Sequence, residues 1–178
     1  MAVDDRSAGE PPVVFPRNLL IDCQSHYYAM LHNLNDEVMY RHRGQFPLYD
    51  SLPQLRADLA VDGLDVDDDD EPDVVDSDRG WTSVGPAMAG DDLDCALETW
   101  NALEEVAAGL GVPMNFKGKI ATKAYAKLFW GLNLPSVTPP GEHYLPLWSP
   151  REISKIAKVL RSGRSRIQRA VAERRAAN

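Results

Sequence analysis

The chain has 178 residues, 44% of them apolar and 26% charged, which is the balance of one folded domain with a real core rather than of a disordered chain. No apolar stretch approaches the roughly 18–20 residues that span a bilayer. The leading MAVDDRSAGEPPVVFPRN lacks a basic region followed by an apolar one, so neither a membrane partner nor a secretory signal is expected and a cytoplasmic location is. The net charge of −8 hides an asymmetry: residues 1–110 carry 24 acidic and 6 basic side chains, a net of −18, while 111–178 carry 3 and 13, a net of +10. Such a split points to a charged partner or to two halves that neutralise each other in the fold.

Residues 1–12, polar and ending in Pro11-Pro12, are expected as a flexible leader to a single domain over 13–178. Residues 13–49 are enriched in Val, Ile, Tyr and Phe and read as strand. The NLND sequence at 33–36 predicts a hairpin turn between LLIDCQSHYYAML and EVMYRHRG. In its second arm, Val38, Tyr40 and His42 alternate with Met39, Arg41 and Arg43, as in a half-buried strand. DSLPQLRADLAVDG then predicts a short helix with Ser51 and Gln54 as a capping box and Leu52, Leu55 and Leu59 as its apolar stripe, ended by Gly63.

The run that follows, about 62–80, is expected as an acidic loop; from Asp58 to Asp78 there are eleven carboxylates and no base. GWTSVGPAMAG at 80–90 reads as loop. Asp91 or Asp92 is expected to cap a long helix with Leu93, Leu97, Trp100, Leu103, Ala107 and Leu110 inward, stopped at Gly111 and Pro113. KGKIATKAYAKLFWG at 117–131 predicts another, with Ile120, Ala124 and Leu128 inward and Lys119, Lys123 and Lys127 along a different face. NLPSVTPPGEHYLPLW is expected as an ordered loop that buries its Leu, Val, Tyr and Trp side chains. Ser149, Pro150 and Glu152 form a full capping-box start for a last helix, which Gly163 is expected to end or kink before a basic amphipathic tail. Together these elements predict an α+β fold: a small antiparallel sheet, built on an N-terminal hairpin, packed with about four helices.

Motifs for chemistry are scarce. Asp65, Asp67, Asp69, Asp73 and Asp76 fall at positions 1, 3, 5, 9 and 12 of a calcium-loop count, but position 6 is Asp70 where the turn needs Gly, position 8 is Pro72, and no helix enters the loop. Neither a metal nor a cofactor is expected. Cys23 and Cys95, 72 positions apart without neighbouring His or Cys, make no zinc spacing and are expected as buried reduced thiols. No nucleophile elbow, phosphate-binding loop or dinucleotide glycine pattern occurs, and Gly109-Leu110-Gly111 is a helix stop. His26, His32, His42 and His143 leave a His-dependent hydrolase as a lesser alternative. Arg161, Arg164, Arg166, Arg169, Arg174 and Arg175 leave a nucleic-acid-binding regulator as another, against which stands the acidic chain.

Two stretches, SHYYAMLHNLNDEVMYRHRGQFPLYDSL (25–52) and LFWGLNLPSVTPPGEHYLPLWSPREISKIAKVL (128–160), resemble small bacterial immunity proteins of contact-dependent growth inhibition and polymorphic toxin systems. The features that match are the YYAM strand, the PLYDSLPQL strand-to-helix step and the W-S-P-x-E-I helix start. The resemblance implies a non-enzymatic cytosolic protein that binds and blocks one cognate toxin domain, in many such systems a nuclease that is basic because it binds phosphate. It carries over no site residue. The charge pattern points the same way on its own, since an acidic surface steers a basic partner and occupies a phosphate-binding cleft. The candidate partner-binding residues are Asp65, Asp67, Asp68, Asp69, Asp70, Glu71, Asp73 and Asp76. The same run also reads as a self-repelling solvated loop. The oligomeric state is left open.

Overall fold

Strand β1 (Val13–Ile21) turns straight back into β2 (Gln24–Asn33) through Asp22 and Cys23, and the two pair antiparallel from Val13↔His32 to Ile21↔Gln24. Both turn residues have positive φ, 50° and 60°, the backbone that a two-residue hairpin needs to match strand twist. The expected hairpin is therefore one of two. Strand β3 (Asp36–Met39) pairs antiparallel with β2 out to Asn33↔Asp36, so the NLND segment lies between paired strands. The structure, a computed structural model, describes residues 12–33, 36–66, 70–114 and 116–177. The middle of NLND and nearly all of the leader fall outside these ranges. Cys23 is exposed at its turn and Cys95 half-buried, so neither is the buried thiol expected.

Helix α1 (Leu52–Val61) follows with Ser51 at its N-cap, but no side-chain bond forms there, so the capping box supplies the position and not the hydrogen bond. Beyond it come β4 (Asp73–Asp76), α2 (Ser77–Thr82), α3 (Asp91–Leu110), α4 (Lys119–Gly131) and α5 (Pro150–Ala177). The architecture is α+β. Among the described residues, four strands lie in the order β3-β2-β1-β4. The chain divides into two compact units with the boundary inside β4, after Val74.

The first unit is a sheet with α1 on one face. Val14, Ala29 and Tyr40 from the strand region meet Leu55, Leu59 and Val66 in one core, with Tyr27, Leu31 and Tyr49 around it. Strand alternation explains the choice: Val14 points to α1, so its neighbours Val13 and Phe15 point away, 38% and 46% exposed. Val38 is also exposed, because β3 is a short edge strand and ends at Met39.

The second unit is built on α3, against which α2, α4 and α5 all pack. Of its expected inward stripe, Leu93, Leu97, Trp100, Leu103 and Ala107 are buried and Leu110 is half-buried. Gly111 closes it in the left-handed conformation (φ 70°), while Gly90 rather than an aspartate is the N-cap. Trp100 sits between the rings of Phe116 and Tyr125, with centroids at 5.8 and 5.7 Å. In α4, Ala121, Ala124 and Leu128 face inward, and Ile120, expected inside, is 44% exposed because Ala121 takes the place.

Helix α5 runs through Gly163 without ending, contrary to expectation. Its inward face, Ile156, Val159, Leu160, Ile167 and Val171, needs a gap where it crosses Leu103 and Met114: a Cβ on Gly163 would lie 3.0 and 2.8 Å from their side-chain ends. The glycine serves close approach, not termination. The Pro-rich segment before α5 also departs from expectation, since Leu134, Val137, Tyr144, Leu145 and Leu147 are exposed.

Candidate functional site

The acidic run is not one loop. Its last part forms β4 and the first turn of α2, and Asp76 is the α2 N-cap, accepting from the N–H groups of Asp78 (2.9 Å) and Arg79 (3.1 Å). That carboxylate is used in ending a strand and starting a helix. Asp65 is exposed beside Val66, which belongs to the core under α1. Asp67, Asp68 and Asp69 lie outside the described residues. Asp70, Glu71 and Asp73 are exposed, and they share one depression of about 340 Å³ with Phe15, Arg17, His32 and Glu37.

Register assembles the rest of that depression. Val13 pairs with His32, and His32 with Glu37, while Phe15 and Arg17 lie two and four positions along β1 from Val13; all therefore point from the sheet face opposite α1. Phe15 and His32 meet edge to face, with centroids at 6.2 Å. Arg17 and Glu37 form an ion pair at 3.7 Å, so the excess charge of the groove comes from the acidic run. The Arg56 guanidinium of α1 donates to the Asp70 carbonyl at 3.2 Å and so fastens that run to the helix. The groove thus offers a half-exposed aromatic ring beside three exposed carboxylates. Such a surface suits a cationic side chain, which gains from both the ring face and the carboxylates.

A second polar cluster lies at the C-terminal end of α1. Tyr40 donates to Asp62 at 2.6 Å, His42 Nδ1 lies 3.0 Å from the same carboxylate, and Tyr49 donates to Asp58 at 2.8 Å. Burial, then the bond to Asp62, pushes the Tyr40 hydroxyl pKa well up; burial and Asp58 do the same to Tyr49. The bonds from Tyr40 and His42 hold the Asp62 carboxyl below its usual range. Tyrosines held protonated in this way act as donors that tie the strand region to α1. Of the other histidines in the hydrolase alternative, His26 is buried, 3% exposed, and His143 is exposed.

Several tail arginines are engaged within the second unit. Arg164 pairs with Asp78, Arg166 donates to the Pro113 carbonyl, and Arg161 stacks over Trp81 with its guanidinium 4.2 Å from the ring centre. Among the described residues no group of three or more His, Cys, Asp or Glu side chains is placed to hold a metal ion. No described helix is long and apolar enough to cross a membrane.

The acidic residues of this groove were legible from composition. Phe15, Arg17, His32 and Glu37 were not, because only strand register brings them together. No protein-family model matches the chain, and no curated protein matches it. Among solved structures, the C-terminal domain of SatS, crystallised in complex with bromine, is similar at 17% identity and a TM-score of 0.45, over 86% of this chain and 91% of that one. A likeness of that degree carries no argument about function.

Proposed function

We propose that this chain is a cytoplasmic, non-enzymatic immunity protein that binds a basic toxin domain, with the Phe15 groove as part of its contact surface. One observation carries the reading: Phe15 stands 46% exposed in the depression that Asp70, Glu71 and Asp73 share. A large apolar ring left on a sheet face is a natural anchor, and interface energy concentrates on such residues. The surrounding carboxylates steer a cationic partner and screen out acidic ones. The resemblance of residues 25–52 and 128–160 to immunity proteins adds the partner class.

The test is protection and binding. The wild-type chain is expected to rescue growth of cells expressing the toxin domain encoded beside its own gene, and to bind that domain in surface plasmon resonance. Reversing three charges (Asp70→Lys, Glu71→Lys, Asp73→Lys) is expected to slow association by about tenfold or more at low salt and to flatten its salt dependence. Phe15→Ala should act chiefly on dissociation, by about tenfold, as loss of a 1.4 kcal/mol anchor does. A wild-type chain that neither protects nor binds would end the proposal. Unchanged kinetics in both variants, with binding intact, would instead move the interface away from this groove.

A further inference from the structure

The geometry points to a second docking surface, of opposite charge, on the second unit: the face around Trp130, Tyr144, Leu145 and Leu147 takes an acidic protein segment that carries apolar anchor side chains. It rests on observations independent of the Phe15 groove.

Of the twelve large apolar side chains left exposed among the described residues, six fall between Trp130 and Leu147, so the exposure is concentrated and not scattered. The backbone explains it. Residues 142–148 run without helix or turn, and Pro146 packs on Gly131, where an added Cβ would stand 3.2 Å from the proline ring. Trp148 donates its indole N–H to the Met88 carbonyl at 3.3 Å. With Pro146 and Trp148 turned inward, the period of two in an extended chain sends Leu145 and Leu147 outward, 68% and 85% exposed.

The segment is held firmly. The Asn133 side-chain amide accepts from the Tyr144 N–H at 2.6 Å and donates to the Tyr144 carbonyl at 3.1 Å, copying a strand pair, while the Lys127 ammonium donates to the Leu147 carbonyl. A partner therefore meets leucines that are already ordered, which lowers the entropy cost of binding. Beside them Trp130, Val137, Pro139 and Tyr144 line a pocket of about 390 Å³, a volume that holds one side chain. Concavity of this kind suits a protein knob better than the flat surface of a bilayer.

Charge names the partner. Lys119 and Lys123 lie on the α4 stripe that leads to Trp130, and Lys123, 70% exposed, reaches Glu152 at 3.7 Å just past Leu147. Arg151 is exposed at the start of α5. Glu152 is buried and already paired with Lys127 at 2.8 Å, and Glu142 is the exposed carboxylate of the pocket rim. Counting Lys123, Lys127 and Arg151 against Glu142 and Glu152, the charged side chains around the exposed leucines sum to one positive charge, which favours an acidic segment over a basic one.

The test uses the full chain and short fluorescein-labelled peptides: a Glu-rich peptide with a Leu-x-Leu centre, the same peptide with Ala-x-Ala, and a Lys-for-Glu version of the first. Fluorescence anisotropy is expected to show binding of the acidic Leu peptide alone. The Leu145→Ser/Leu147→Ser double variant, with unchanged circular dichroism, should weaken it by about tenfold. Failure of every peptide to bind, equal binding of the Ala-x-Ala peptide, or an unchanged double variant overturns the proposal. So does co-sedimentation of the wild type, but not the variant, with phosphatidylserine-containing vesicles when no peptide binds; that result would assign the face to a lipid surface. Concentration-dependent dimers of the wild type that the variant lacks would assign it to a second copy, and also overturn it. Toxin binding through the Phe15 groove should be unaffected by the double variant, so the two surfaces fail or succeed separately.

Discussion

Gly80→Ala is expected to lower stability by about 3 kcal/mol, the upper end for overpacking. A Cβ at this position of α2 would press on the Thr99 hydroxyl and stand 2.6 Å from the Cys95 carbonyl and 2.7 Å from Thr99 Cβ, where real Cβ atoms keep beyond 3.0 Å. Backbone and a β-branched side chain on α3 have no room to retreat. The helix-propensity gain of about 1 kcal/mol from replacing glycine in a helix does not offset that crowding. In thermal unfolding followed by circular dichroism, the midpoint should fall by roughly 6–12 °C for a chain of this size. Gly163→Ala is the control. There the nearest atoms are the flexible ends of Met114 and Leu103, so the gain in propensity and the crowding nearly cancel, and the change should stay within about 1 kcal/mol. A midpoint for Gly80→Ala equal to that of Gly163→Ala would show that the α2–α3 approach is looser than contacts of 2.6 and 2.7 Å to an added Cβ imply.

Glu152→Gln is expected to cost about 3 kcal/mol near neutral pH, with a loss that disappears in acid. Glu152 is 3% exposed and accepts three hydrogen bonds, from the Ser149 N–H at 2.9 Å, the Ser149 hydroxyl at 2.8 Å and the Lys127 ammonium at 2.8 Å, with the Lys123 ammonium 3.7 Å away. Burial pushes its carboxyl pKa upward. The Lys127 bond and the two from Ser149 outweigh burial, and the pKa comes down to about 2 from the ordinary 4.5. A carboxyl lowered on folding contributes stability that is fully present above pH 4.5 and is lost as pH falls toward 2. The difference between wild type and Glu152→Gln in urea unfolding should therefore be constant from about pH 6 to 7 and shrink below about pH 4.5. A difference that stays constant down to pH 2.5 would mean that the charge of Glu152 contributes nothing and the residue matters only for its shape. Because the same carboxylate closes the α5 capping box and holds Lys127, its loss also frees the ammonium that bonds Leu147.

The features legible in the sequence share one property: they are local. Ser149 and Glu152 are three residues apart, and their reciprocal bonds form as expected. The Leu93, Leu97, Trp100 and Leu103 stripe repeats within one helix, and Gly111 stops it where a residue with positive φ is needed. The acidity of the Asp70–Asp73 segment is a matter of composition. Each of these is decided within a turn or two of helix, so side-chain type and spacing suffice.

What escaped the sequence depends on neighbours far along the chain. Asp22 and Cys23 have no turn-favouring glycine, yet they adopt positive φ because the nine residue pairs that join β1 to β2 demand a two-residue reversal. The acidic DVVD, whose valines favour strand and whose aspartates do not, becomes a strand because it completes the β3-β2-β1-β4 sheet. Gly163, a helix breaker by propensity, stays helical because Leu103 and Met114 need its missing side chain. Leu145 and Leu147 were expected inside, but Pro146 and Trp148 took the inward positions, and an extended chain has only two sides. By itself, then, the sequence determined the α+β class, the helix boundaries that caps and apolar stripes define, and an acidic segment set against a basic C-terminal part. Tertiary structure alone decided that Asp70, Glu71 and Asp73 would face Phe15 across one groove, and that two leucines would stand in solvent, because pairing register and close packing are set between segments rather than within them.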